Sequence, residues 1–247
     1  MEPDELEAWI ADADQRSGRS KAQTGKVTRA FDEWRLAERE LLAFLRLGLK
    51  LSKEGFDRLW DEIGRMPASE DGPERIDLFD VATDGLSPLQ FEWLLMNLVV
   101  RDAVTLYEVY LEKALHEVAE YRVGATVVGE RSPDWNNLRP IYRGIFKKDP
   151  EPVDVHAVIR LRNLLTHRRG ELRTDSLRAE YDTKEYGFPD IWIRLEPETV
   201  VRHLDTLAAS VARIDDTMHG LAWGRGPFGP ELQEQLVAAA PWLFVYE

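Results

Sequence analysis

The chain has 247 residues, 44% of them hydrophobic and 31% charged, so it is long enough for one large or two small cores. It holds no cysteine, which excludes disulfides, thiolate zinc sites and a cysteine nucleophile, and no apolar run approaches the roughly 18 residues of a membrane helix. Its 32 basic and 45 acidic residues leave a net charge of −13, which argues against coating nucleic acid through bulk charge. The acidic start, Met1 to Trp9, lacks the basic and apolar regions of a signal peptide. A cytoplasmic location is expected.

Helical periodicity dominates the chain, and the expected class is all-α. Residues 4–13 have the pattern of a short helix, followed by the polar stretch Gln15 to Lys26, which reads as mobile or loosely packed. Phe31, Trp34, Ala37, Leu41, Leu42, Phe44 and Leu45 recur at steps of three and four, and Ser52 precedes a second helix ending near Arg65. Met66 to Gly85, rich in Pro, Gly and acids, reads as a linker or long loop. Residues 1–85 therefore form an N-terminal helical layer with an acidic linker.

Ser87-Pro88-Leu89-Gln90 combines an N-cap, a proline at the first helical position and a capping-box glutamine. It predicts a long spine helix to about Tyr121. Asn136 to Phe146 predicts a shorter helix with Pro140 near its first turn, and Pro150 and Pro152 separate it from the next, Val155 to His167. Ile191 to Leu195 alternates like a strand but has no identifiable partner, and Pro197 opens a helix to about Met218. Residues 86–219 thus form a helical bundle, and residues 220–247 a Gly/Pro-rich tail with a short helix.

On a wheel of 100° per residue, the helix from Val155 to His167 gathers Asn163, His156, His167 and Arg160 into one narrow polar stripe. Arg162 falls on the opposite, apolar arc. A guanidinium there needs a partner, because an unpaired buried charge costs several kcal/mol. Glu108, set among Val104, Tyr107, Val109, Tyr110 and Leu111 on the spine helix, is the expected one; a purely structural salt bridge, or an Arg162 that snorkels to solvent, is the plainer alternative. From Arg139 to Arg173, nine basic residues stand against four acids, so a polyanion would sit there if anywhere.

Arg162-Asn163-Leu164-Leu165-Thr166-His167 resembles the Arg-x4-6-His motif of HEPN-domain ribonucleases, including the Asn that often follows the Arg. The resemblance spans residues 87–219. It implies a HEPN-like helical bundle, here with an additional N-terminal helical layer, that dimerises so that two motifs face each other. It further implies metal-independent RNA cleavage with no cofactor, in a toxin or phage-defence role. His167 would transfer protons, Arg162 would stabilise the phosphorane, Asn163 would orient His167, and Glu108 would support Arg162. Arg160, Arg168, Arg169 and Arg143 would contact RNA. The family's minimal toxins that are silenced by a nucleotidyltransferase carry Tyr two residues after the His. Arg169 stands there, so modification at that position is not expected and any protein regulator is unidentified. The rival expectation is a noncatalytic HEPN-like module that binds nucleotide, RNA or a protein.

Weaker signals have plainer explanations. His116-Glu117 lacks the second His of a zincin and reads as a surface helix position. Asp215, Asp216 and His219 are expected to be solvated rather than metal-bound. Gly224 to Pro230 lacks the Lys-Ser/Thr of a P-loop, and Trp34, Trp60 and Trp93 read as core.

Overall fold

The computed structural model describes residues 27–66, 74–123, 135–181, 183–184, 192–223 and 230–240. The expectations for residues 4–13, for Gln15 to Lys26, for the Gly224 to Gly229 stretch and for the segment from Pro241 onward lie outside them. The described residues form an all-α fold of eight helices: α1 (Arg29–Arg65), α2 (Arg75–Ala82), α3 (Pro88–Val123), α4 (Trp135–Gly144), α5 (Val153–Arg168), α6 (Asp175–Glu180), α7 (Pro197–Trp223) and α8 (Pro230–Ala239). Two-residue strands β1 (Thr183–Lys184) and β2 (Trp192–Ile193) pair antiparallel.

The spine is α3, which starts as its sequence dictates. The Ser87 hydroxyl accepts from the Gln90 N–H at 3.2 Å and the Gln90 amide oxygen accepts from the Ser87 N–H at 2.9 Å, satisfying two backbone donors reciprocally. Its apolar residues run on more than one face: Val99, Val104, Tyr107, Leu111, Leu115 and Val118 are wholly buried. A helix of that kind must be surrounded, and α1, α5 and α7 pack along it in one continuous core that reaches Leu232 and Leu236 of α8.

Three expectations about the elements are corrected. First, α1 is one helix of 37 residues, not two. Gly48 does not break it but lies where α1 meets α3: a Cβ at Gly48 would come within 2.6 Å of a Leu95 methyl, so the glycine permits close approach. Ser52, expected before a second helix, is buried within the first. Second, the stretch expected to be a linker contains α2. The Glu74 and Asp77 side chains and backbones cap it reciprocally, and Phe79 anchors it in ring contact with Phe56 at 5.9 Å and Trp60 at 5.2 Å. Third, the strand-like run has a partner in β1, and a further bridge joins Trp192 to Glu171. Pro140 lies in the second turn of α4 rather than its first, and Trp60, expected in the core, is 48% exposed.

Buried carboxylates fix the start of α1. Glu117 of α3 accepts from the backbone N–H groups of Arg29 and Ala30 at 3.1 and 3.2 Å, two donors that a helix leaves unsatisfied at its N-terminus. Asp215 of α7, fully buried, accepts from the Thr28 hydroxyl, from the Thr28 N–H at 3.4 Å and from the Tyr110 hydroxyl at 3.3 Å. Asp215 is therefore an internal joint between three helices and not the solvated residue expected.

Candidate active site

Pro152 supplies the cap position of α5 and Asp154 the acid in its first turn. Val155, Val158, Ile159, Leu161, Leu164 and Leu165 bury one face of the helix. The polar stripe read from the wheel is present: His156, Arg160, Asn163 and His167 are all exposed. The helix ends at Arg169, whose backbone is left-handed with φ 51°, and Gly170, with φ 78°. The Gly170 N–H donates to the Leu164 carbonyl at 3.3 Å and closes the last turn.

Arg162 meets Glu108, as its place on the apolar arc requires. The same Glu108 oxygen also accepts from the Trp135 indole N–H at the start of α4, so one carboxylate joins α3, α4 and α5. The pair is only partly enclosed, with 22% of the Arg162 and 28% of the Glu108 side chain exposed. The Arg162 Nε is enclosed without a hydrogen-bond partner. Five residues on, His167 points about 140° away around the helix, and neither its ring nor the Asn163 amide forms a hydrogen bond or ion pair among the described residues. One chain thus brings Arg162 together with Glu108, and not with His167.

A second carboxylate cluster was missed in the sequence. Glu151, between Pro150 and Pro152, has a side chain only 4% exposed; it pairs with Arg139 at 2.5 Å and with the His156 Nδ1 at 2.8 Å. The Arg139 guanidinium also lies 5.2 Å from the centre of the Trp135 ring. The proline-flanked acid and the His156 in the polar stripe were the available signals, but neither reveals that α4 supplies the arginine.

The basic stretch is largely matched by acids. Arg143 pairs with Asp149, Arg160 with Glu180 and Arg173 with Glu171, at 2.9, 2.9 and 2.7 Å. Among the described residues the side chains of Arg168, Arg169 and Lys148 form no such pair, so the uncommitted cations cluster at the end of α5 and before its start.

Two other histidines are partly withdrawn from solvent. Burial pushes the His203 imidazole down to about 4, with Arg202 adding to the effect. His116 is half-buried rather than on the surface, and desolvation lowers it against an opposing pull from Glu112. Compared with family models, with curated proteins and with solved structures, the chain has no match.

Proposed function

We propose that the protein is a metal-independent endoribonuclease of HEPN type, acting as a homodimer in the cytoplasm, with a toxin or phage-defence role. The observation that supports this best is the division of labour along α5: Arg162 is held in place by Glu108, while His167 stands in solvent with Asn163 one turn before it. Cleavage begins when the ribose 2′ oxygen attacks phosphorus. A neutral His167 takes the 2′-OH proton, and the His167 of a second copy protonates the departing 5′ oxygen. Arg162 retains N–H donors beyond the one given to Glu108, and its planar fork suits the charge that develops on the phosphorane oxygens. Asn163, four residues before His167 on the same stripe, would orient the imidazole once the RNA and the second copy are in place. The strand leaves with a 2′,3′-cyclic phosphate, and DNA, lacking the 2′-OH, is not cut.

The divergence of Arg162 and His167 around the helix favours a second reading, a noncatalytic helical module in which the Arg162–Glu108 pair is a structural joint. Incubation of the protein with mixed RNA in EDTA separates the two. Cleavage with cyclic-phosphate ends, absent from the Arg162→Ala/His167→Ala variant, is expected; intact RNA moves the assignment to the noncatalytic module.

A further inference from the structure

Beyond the catalytic stripe, the end of α5 borders a cavity of about 320 Å³ lined by Leu86, Gln90, Trp93, Leu94, Arg169 and Trp192. Trp93 is 3% exposed and fixed by a hydrogen bond from its indole N–H to the Ile193 carbonyl at 3.2 Å, and Trp192 meets it edge to face at 5.4 Å. Gly170 is needed beside this wall, since a Cβ there would stand 2.7 Å from the Trp93 ring. Arg169 is not explained by packing. Its left-handed backbone is strained for a residue with a Cβ, and glycine would hold the same turn at lower cost. What arginine adds is a cation on the cavity wall, and its side chain has no acid partner among the described residues, while Arg168 lies within electrostatic reach of Glu171.

We infer that this cavity takes one unpaired nucleobase of an RNA strand whose phosphates lie on Arg168 and Arg169. Its volume is at the small end of ligand pockets, enough for one ring system and too little for a helix or folded segment. Indole walls and a guanidinium plane are the surfaces on which single-stranded bases stack. The Gln90 carbonyl oxygen is already used by the Ser87 N–H, which leaves its amide N–H2 for a base edge. A phenylalanine side chain from a protein would fill the apolar part but leave the Arg169 guanidinium without counter-charge. The inference takes from the ribonuclease reading only its choice of RNA as the strand.

The test is binding without cleavage. A fluorescein-labelled 2′-O-methyl RNA octamer is titrated by anisotropy against an octamer of the same backbone built from abasic units. The base-bearing strand is expected to bind roughly tenfold tighter. Arg169→Gly should melt no lower than the parent, because it relieves the left-handed strain, yet lose most of that difference. Leu94→Glu, at an exposed wall position, should lose it too by setting a carboxylate against the strand. Equal affinity of the parent for both strands, or an undiminished difference in both variants, overturns the proposal. So does displacement of the octamer by a neutral phenylalanine peptide. Because no bond is broken in this assay, a protein that cuts no RNA sinks the ribonuclease reading without touching the pocket, and an active protein indifferent to the base sinks the pocket alone.

Discussion

Glu108 and Arg162 form an ion pair across the contact between α3 and α5, and Trp135 completes it by donating to the same carboxylate oxygen. Removing the carboxylate strands a partly enclosed guanidinium and an indole N–H together. Because about a quarter of each side chain reaches solvent, the full penalty of a buried unpaired charge does not apply. Glu108→Ala should destabilise by about 2 kcal/mol in urea unfolding, and Glu108→Gln, which keeps an acceptor for both donors, by less. Equal, small shifts for the two would show that the pair is screened by water.

This pair was legible in the sequence because it follows from one wheel: an arginine on an apolar arc demands an acid, and Glu108 was the acid in apolar company. The Ser87–Gln90 box was legible for the same reason, its partners being three residues apart. What the sequence hid depends on distant chain. Thr28 and Asp215 are 187 positions apart, and no local pattern couples them. Ser52 looks like the start of a second helix until α1 proves continuous through Gly48, where the chain packs against Leu95. Glu151 looks like a loop acid until Arg139 and His156 close on it. The wheel places His167 and Asn163 on one polar stripe, and their exposure follows; their catalytic role comes from the resemblance alone and would depend on a partner strand or a second copy, which one chain does not contain.

The joint at Thr28 is expected to matter more than its position near the start of the described chain suggests. Thr28→Val removes a donor to the buried Asp215 and the side-chain oxygen that caps α1 through the Phe31 N–H at 3.0 Å. A buried carboxylate left one donor short and a lost cap together should cost about 2 to 4 kcal/mol. Asp215→Ala, which takes the acceptor from Thr28 and leaves the Tyr110 hydroxyl only the Val211 carbonyl, should fall in the same range. Thermal melts that barely move in both variants would show that α1 is held by its apolar face alone.

Stability should decline on acidification through His203. Its folded-state value near 4 lies below the unfolded value of about 6.5, so between these pH values the unfolded chain binds a proton that the native chain refuses. The unfolding free energy therefore drops as pH falls across that window, by about 3 kcal/mol from this residue at its lower end. His116, displaced in the same direction, adds to the slope. His203→Leu should flatten the decline in urea midpoint between pH 6.5 and 4.5. A variant with the parental slope would place the imidazole in contact with water.

A dimer is expected if the proposed cleavage holds. Cyclising cleavage is best served by a base and an acid on opposite sides of the phosphate, and each chain offers one His167. Light scattering at micromolar concentration should give the mass of two chains, with α5 near the twofold axis. A strict monomer with full activity would remove the shared site.

The catalytic assignment separates chemistry from binding. On the proposed mechanism, in which the imidazole moves protons and is not a main contact, His167→Ala should lower cleavage by about 10² or more while leaving affinity for RNA in place. Asn163→Ala, given the proposed orienting role, should reduce the rate less and alter its pH profile. Arg168→Ala and Arg169→Ala, whose side chains form no ion pair among the described residues, should instead weaken binding and each lower its salt dependence by about one phosphate contact. Arg160→Ala and Arg143→Ala should do less, because Glu180 and Asp149 already hold those guanidinium groups. Products should end in 2′,3′-cyclic phosphate, form in EDTA and fail to arise from 2′-O-methyl RNA. Wild-type rates from the His167→Ala protein, or cleavage that requires a metal, would reject the mechanism and leave the Arg162–Glu108 pair as a joint in a noncatalytic bundle.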